Sequence, residues 1–169
     1  MIILALLRHA EAVKTHGDGD HARPLSGAGR DAAAAAGRRL AELLPHGALV
    51  VASDARRTRQ TAELAFPTAG ADEVRLEPSL YAAPASDLLA TIRDLPAACP
   101  AVVLVGHNPG ISELASMLAG EGAPDDLARV AEGLAPADAV ILSFPIGWGA
   151  VSPKAGRVAA VLAHAGPET

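Results

Sequence analysis

The sequence predicts a single α/β domain over residues 1–169, with a mostly parallel sheet flanked by helices in three layers. The length of 169 residues suits about one domain. Half of the residues are apolar, which is enough to bury a substantial core. Short continuous apolar runs each end at a polar or glycine-containing turn and are followed by a helical pattern. That succession is typical of parallel strands that are covered on both faces.

Each predicted element depends on a local pattern. The strands are continuous apolar runs, and the helices combine a 3.6-residue apolar period with a capping residue or a proline at the start. Ser26 is the expected N-cap of the first helix, and Ser53 or Asp54 that of the second. In chain order we expect a strand at Ile2–Leu7, a helix from Ser26 to about Leu44, a strand at Leu49–Ala52, a helix to about Phe66, a helix from Pro84 through Ile92, a strand at Val102–Val105, a helix from Pro109 through Leu118, and strands at Ala139–Phe144 and Val158–His164.

Composition excludes several classes of partner and site. Fourteen Lys and Arg against nineteen Asp and Glu give a net charge of −5, which argues against a broad nucleic-acid footprint. A small anion pocket built from a few arginines is compatible with that balance. The one cysteine, Cys99, excludes an internal disulfide and a cysteine-based zinc site.

Neither a membrane span nor a secretory leader is expected. No apolar run approaches the roughly 18–20 residues that cross a bilayer. The apolar N-terminal run is followed, not preceded, by its first charge, Arg8. We therefore expect a cytoplasmic protein with neither a membrane nor a nucleic acid as its partner.

Polar residues follow three predicted strands at their carboxyl ends. Arg8 and His9 follow the first strand, Arg57 lies just after the second, and His107 with Asn108 follows Val102–Val105. Ligands of open α/β sheets bind at these ends. We therefore expect these side chains to converge on one site, although a lone histidine at a strand end is more often a structural residue.

Helical register selects one of the three neighbouring arginines. Arg57 shares its helical stripe with Thr61 and Leu64, whereas Arg56 and Arg59 lie on the polar side. Arg59 is also four residues before Glu63, the spacing of a surface ion pair. The register therefore predicts that Arg57 alone is aimed at the site.

These residue types suit phosphoryl chemistry. A neutral imidazole can attack phosphorus when its other ring nitrogen donates to a backbone carbonyl, and an arginine fork matches phosphate oxygens. His107 lies before a helix N-terminus, where backbone N–H groups favour anions. Metal binding by the histidines is the alternative, but His16 and His21 lie in a polar loop and no HExxH motif occurs. No metal and no cofactor are expected.

Four ordered motifs resemble the histidine phosphatase superfamily, also called the phosphoglycerate mutase-like fold. LLRHAEA (6–12) is similar to its RHG signature, with Ala10 in place of glycine. RPLSGAGRDAA (23–33) is similar to its P-L-T-x-x-G stretch, with Ser26 replacing threonine. ASDARRTRQTA (52–62) resembles S-P-x-x-R-A-x-Q-T-A and places the second phosphate-binding arginine on Arg57. VGHNPG (105–110) resembles the segment with the second histidine, here His107.

The resemblance implies a two-step, metal-independent phosphatase. His9 would attack phosphorus to form a phosphohistidine, and water would then release phosphate. Arg8, Arg57 and His107 would hold the phosphoryl oxygens, with Asn108 beside them, and stabilise the spread negative charge.

The sequence departs from the family pattern at the proton donor. Many members carry an acidic residue after the third strand, where Leu80-Tyr81-Ala82 stands here. Glu77 is the nearest carboxylate and is displaced from that position. An alkoxide leaving group needs such an acid, whereas the imidazole of phosphohistidine is less basic and needs less help. This departure and the short chain resemble the SixA-type phosphohistidine phosphatases, which act on signalling proteins in the cytoplasm.

Two alternatives remain open at this level. The chain could hydrolyse a small sugar or nucleotide phosphate, or it could be a non-catalytic module that docks phosphorylated partners. The polar loop between Ala12 and Pro24 contains Asp18, Asp20 and Arg23, which either solvate a turn or orient substrate.

Overall fold

The computed structural model describes residues 1–67 and 74–164 of the chain. These residues form a sheet of seven strands, β1 to β7, with five helices, α1 to α5, packed on it. In chain order the elements are β1 (Ile2–Arg8), α1 (Gly27–Leu43), β2 (Leu49–Ala52), α2 (Arg56–Ala65), β3 (Val74–Leu76), α3 (Ala85–Arg93), β4 (Ala101–Gly106), α4 (Gly110–Leu118), β5 (Ala119–Glu121), α5 (Pro124–Glu132), β6 (Ala139–Phe144) and β7 (Gly156–Leu162).

The sheet is mostly parallel, as predicted. Its strand order is β3-β2-β4-β1-β6-β7-β5. Within the described residues, only β6 runs against its neighbours, pairing antiparallel with both β1 and β7. The carboxyl ends of β1, β2 and β4 therefore lie next to one another at the same edge of the sheet.

Both faces of the sheet are covered because alternate residues of the central strands enter different cores. In β1, Leu4 and Leu6 pack with residues of α3, α4 and α5, whereas Ala5 and Leu7 pack with residues of α1 and α2. Strand β4 is buried along its whole length. This two-sided burial explains why the central strands are continuous apolar runs and confirms the three-layer prediction.

Helix α1 begins as predicted, but α2 does not. The Ser26 side chain accepts a hydrogen bond from the Gly29 amide and so caps α1. The N-cap of α2 is Ala55, which makes no side-chain capping bond, so the expectation of Ser53 or Asp54 is wrong. Both side chains are engaged elsewhere: Ser53 bonds to His107, and Asp54 bonds to His21.

The remaining differences concern short or shallow elements. Strand β7 begins two residues earlier than expected and ends at Leu162, because its antiparallel partner β6 begins opposite, at Ala139. Strands β3 and β5 have three residues each, too few to show a pattern. Helix α5 was also not predicted, since Val130 is its one fully buried residue among those described.

Candidate active site

The predicted site residues line one cavity at the carboxyl edge of the sheet. Its volume is about 460 Å³. Strand β1 ends at Arg8, strand β4 ends just before His107, and α2 projects Arg57 from the end of β2. The polar residues that line it are Arg8, His9, Glu11, Asp20, Arg23, Arg57, His107 and Asn108.

His9 has a defined tautomer. Its Nδ1 lies 2.7 Å from the carbonyl oxygen of Ala10, which can only accept a hydrogen bond, so Nδ1 carries the hydrogen. Burial lowers the pKa of His9 to about 4, and the positive charge of nearby arginines adds to that effect. The ring is therefore neutral at pH 7, with a lone pair on Nε2. That lone pair accepts from Arg57 Nε at 3.3 Å.

His107 stands opposite His9, with 5.2 Å between the two ring centroids. Its Nδ1 lies 3.3 Å from Arg57 Nη2, and its Nε2 lies 2.6 Å from Ser53 Oγ. Burial, together with repulsion from His9 and Arg57, lowers the pKa of His107 to about 3. This imidazole is also neutral in the unliganded protein.

Arg57 joins the two histidines. Its side chain is buried, with 5% of the residue exposed, whereas Arg56 and Arg59 are exposed. Arg59 pairs with Glu63 at 3.8 Å. The register prediction is therefore confirmed: only Arg57 of the three points into the cavity.

Arg8 contributes a second guanidinium. Its Nη1 donates to the carbonyl oxygen of Leu134 at 2.9 Å. Its Nε is buried and has no hydrogen-bond partner among the residues that the structure describes. Burial lowers the pKa of Arg8, and Asp138 opposes that effect. A buried donor without a partner is costly, so an anion in the cavity would be stabilised by it.

The loop between Ala12 and Pro24 supplies a carboxylate that the sequence reasoning left undecided. Asp20 begins a short 3-10 turn, Asp20–Ala22, and accepts hydrogen bonds from Tyr81 Oη, from Arg23 Nε at 2.9 Å and from Arg57 Nη2 at 3.1 Å. These donors, the Tyr81 hydroxyl first, hold the pKa of Asp20 well below its ordinary value. The same hydrogen bond raises the pKa of Tyr81.

Sequence reasoning thus missed Tyr81 and did not commit to Asp20 and Arg23. The available signal was the i,i+3 spacing of an acid and an arginine before Pro24-Leu25, within the resembling segment. Tyr81 gave no signal, because its contact with Asp20 joins residues 61 positions apart.

Two other predicted residues have mixed outcomes. Asn108 lines the cavity, but its amide donates to the Leu134 carbonyl at 2.9 Å and accepts from Ser112 Oγ at 2.6 Å. Glu77 is not among the lining residues; its carboxylate pairs with Arg75 instead. The structure therefore does not bring Glu77 to the site, and the reason is its side-chain partner on β3.

Within residues 1–67 and 74–164, no group of three or more His, Cys, Asp or Glu side chains is arranged to hold a metal ion. In the same residues, no helix has the length and apolar character to cross a membrane.

Comparison with known sequences identifies the class. The profile of the histidine phosphatase superfamily (branch 1) matches residues 4–82, which include His9 and Arg57. An uncharacterized protein of Mycobacterium tuberculosis is 31% identical over 150 residues, which are 87% of this chain and 92% of that protein. The chain belongs to the histidine phosphatase superfamily, and its fold is phosphoglycerate mutase-like.

Solved structures place it with the SixA type. A protein from Nakamurella multipartitia assigned as the phosphohistidine phosphatase SixA superposes with a TM-score of 0.86 at 29% identity, covering 98% of this chain and 97% of that one. A SixA assigned in the same way from Agrobacterium tumefaciens gives 0.76 at 25% identity, covering 96% and 97%. A mycobacterial glucosyl-3-phosphoglycerate phosphatase shares the fold, with a TM-score of 0.64 at 22% identity over 98% and 99%.

Proposed function

We propose that this protein is a metal-independent phosphatase that removes phosphoryl groups from phosphohistidine in cytoplasmic signalling proteins. The observation that carries the proposal is the state of His9. Its Nδ1 is bonded to the Ala10 carbonyl, its ring is neutral, and its Nε2 faces Arg57 in an arginine-rich cavity. This is the arrangement that an imidazole nucleophile requires.

In the proposed first step, the Nε2 lone pair of His9 attacks phosphorus. The other ring nitrogen of the substrate's imidazole carries a proton, so when the bond between phosphorus and nitrogen breaks, its electron pair stays on that nitrogen and a neutral imidazole leaves. The phosphoryl oxygens contact Arg8, Arg57 and His107, and the guanidinium donors of the two arginines stabilise the negative charge as it spreads. In the second step, water attacks the phosphorus on His9, inorganic phosphate leaves, and the lone pair returns to Nε2. Neither step uses a metal ion.

The acids at the site favour a leaving group of low basicity. Asp20 accepts three hydrogen bonds from cationic or hydroxyl donors and stays ionised, so it cannot donate a proton. Glu77 does not line the cavity. An imidazole leaving group suits such a site better than a sugar alkoxide. The similarity to two SixA-assigned structures supports the same substrate class.

The rim of the cavity is accessible to a side chain of a folded partner. The Asp20 side chain is 55% exposed, and Glu11 is also exposed. A phosphohistidine on a protein surface would approach His9 past these two exposed residues. This accessibility supports a protein partner.

One observation favours the second candidate, a phosphatase of small phosphorylated molecules. Glu11 lines the cavity, where its carboxyl group would be the proton donor for a basic leaving group, and its Oε1 is held by a hydrogen bond from the Ser26 hydroxyl at 2.8 Å. Under this alternative, Glu11→Gln would lower the turnover of a sugar phosphate strongly. Under the proposed function, the same change leaves phosphohistidine turnover nearly unaffected.

The test is phosphate release without added metal, and with a chelator, from a phosphohistidine protein and from several sugar and nucleotide phosphates. We expect a strong preference for phosphohistidine that is lost in His9→Ala. A preference for one small phosphate that depends on Glu11 would establish the second candidate. Binding of the phosphorylated protein without release from any substrate would instead indicate a docking module.

A further inference from the structure

Two buried hydroxyl groups lie on the Nε2 side of the His107 ring. Ser53 Oγ lies 2.6 Å from His107 Nε2 and 2.9 Å from Thr58 Oγ1. Thr58 Oγ1 lies 2.8 Å from the carbonyl oxygens of both Ser53 and Ala55. Ser53 and Thr58 are each 0% exposed. A series of buried hydrogen bonds therefore links the His107 ring to the main chain at the start of α2, and no member of the series is exposed to solvent.

The direction of every hydrogen in this chain can be assigned. Carbonyl oxygens only accept, so the Thr58 hydroxyl donates to one of its two carbonyl neighbours. Its hydrogen is then used, so the 2.9 Å hydrogen bond between the two hydroxyls must be donated by Ser53 and accepted by Thr58 Oγ1. Because the Ser53 hydroxyl donates its single hydrogen to Thr58, its oxygen can only accept from His107. Ser53 Oγ also accepts from the Ala55 amide at 3.3 Å, so this hydroxyl donates one hydrogen bond and accepts two.

The contact on the Nδ1 side of the His107 ring independently indicates the same tautomer, with the hydrogen on Nε2. Arg57 Nη2 lies 3.3 Å from His107 Nδ1, and a guanidinium has donors only. Nδ1 must therefore carry a lone pair and Nε2 the hydrogen. The other groups that surround this ring are His9, Asp20, His21 and the Tyr81 ring, whose centroid lies 5.4 Å away.

We propose that Ser53, held by Thr58, is a positioning residue that fixes His107 as the Nε2–H tautomer and thereby reserves Nδ1 for the phosphoryl group. The role deepens the proposed function, on which it rests. A phosphoryl oxygen at Nδ1 needs a hydrogen between the two atoms, supplied by solvent or by a monoprotonated phosphoryl group. With Ser53 accepting from Nε2–H, the ring can hold this second hydrogen at Nδ1 and donate it to the oxygen.

The start of α2 shows that the hydroxyl is committed to this role. Ser53 is one of the two residues that the sequence predicted as the cap of α2, whose N-cap is instead Ala55, with no side-chain capping bond. An ordinary cap is worth about 1 kcal/mol. The absence of a capping bond, although Ser53 lies close to the start of α2, indicates that the bond to His107 takes precedence over the local preference for a helix cap.

The experiment combines two readouts on the full chain. Imidazole ¹⁵N resonances report the tautomer of His107 in the unliganded protein, and kcat and KM are measured on a phosphohistidine protein. The variants are Ser53→Ala, Thr58→Val and Thr58→Ser. The control is Ser116→Ala, which removes a partly buried hydroxyl of α4 whose bond goes to the Val130 carbonyl at 3.3 Å.

We expect the Nε2–H tautomer in the wild type, in Thr58→Ser and in Ser116→Ala. Ser53→Ala leaves Nε2–H without an acceptor, and Thr58→Val frees the Ser53 hydrogen to point at Nε2 and drive the ring toward Nδ1–H. Both changes should lower kcat about 10- to 100-fold, with a smaller effect on KM, because one leaves a buried N–H without an acceptor and the other changes the tautomer of a ring beside the developing charge.

An Nδ1–H tautomer in the wild type would overturn the proposal. So would an unchanged tautomer and unchanged kcat in Ser53→Ala and Thr58→Val. If Ser53→Ala does not fold, the near-isosteric Thr58→Val carries the test. A wild type that fails to hydrolyse phosphohistidine would contradict the proposed function, while the ¹⁵N spectra would still decide the tautomer.

Discussion

Asp20 holds both terminal nitrogens of Arg57. Its main-chain carbonyl accepts from Nη1 at 2.8 Å, and its carboxylate accepts from Nη2 at 3.1 Å. With that end of the guanidinium held, Nε and Nη2 face His9 and His107. A buried arginine on a helix is thereby aimed by a loop residue 37 positions earlier in the chain.

This contact predicts the effect of removing Asp20. Asp20→Ala should lower kcat/KM about fivefold, because a charge-assisted bond is lost from a half-exposed position where solvent screens it. Asp20→Asn should lose less, since the amide oxygen can still accept from Arg57. The matched control is Asp18→Ala, whose side chain is 83% exposed and pairs with His16. Equal losses in the Asp18 and Asp20 variants would show that the loop, and not the Arg57 contact, is responsible.

His9→Ala should abolish turnover while the protein stays folded. The change removes the proposed nucleophile and one hydrogen bond to the Ala10 carbonyl, but no apolar core residue. Phosphate release measures the first effect, and circular dichroism with thermal unfolding measures the second. An active His9→Ala protein would place the nucleophile elsewhere.

Arg57→Ala and Arg56→Ala form a pair of neighbouring substitutions with opposite expectations. Loss of Arg57 should cost about 3–4 kcal/mol of transition-state stabilisation, or on the order of 100- to 1,000-fold in kcat. Loss of the exposed Arg56 should change little. Steady-state kinetics of both variants give the comparison, and similar losses in the two would contradict the assignment of Arg57.

The histidines of the site should not titrate near neutral pH. Burial lowers the pKa of His9 to about 4 and that of His107 to about 3, against an ordinary value of about 6.5. NMR titration of the unliganded protein should therefore show both rings neutral from about pH 8 down to about pH 5. Titration of either ring between pH 6 and 7 would contradict the electrostatic description of the cavity.

The same shifts predict how stability depends on pH. A histidine whose pKa is lower in the folded state binds fewer protons there than in the unfolded chain. The free energy of unfolding should therefore fall as the pH decreases from about 6.5 toward 4. Chemical denaturation at several pH values measures this slope, which should be shallower in His9→Ala.

Much of this protein could be predicted from its sequence, since the relevant signals are local. Buried parallel strands require continuous apolar runs, so β1, β2 and β4 were visible as patterns. Helical periodicity distinguished Arg57 from its two neighbours. Because parallel strands end at the same edge, the convergence of His9, Arg57 and His107 followed from the fold class.

The tertiary structure decided what depends on contacts between distant segments. Asp20 contacts Arg57, 37 positions later in the chain, and Tyr81, 61 positions later. No local sequence pattern can predict contacts of this kind. Ser53 has the local character of a helix cap, but a bond to His107, 54 positions away, takes its hydroxyl. The sequence alone determines the fold and brings the residues proposed for the chemistry to one edge of the sheet, since both follow from backbone geometry and burial. Which nitrogen carries a proton and which guanidinium edge faces the cavity depend on hydrogen bonds that exist only after the chain has folded.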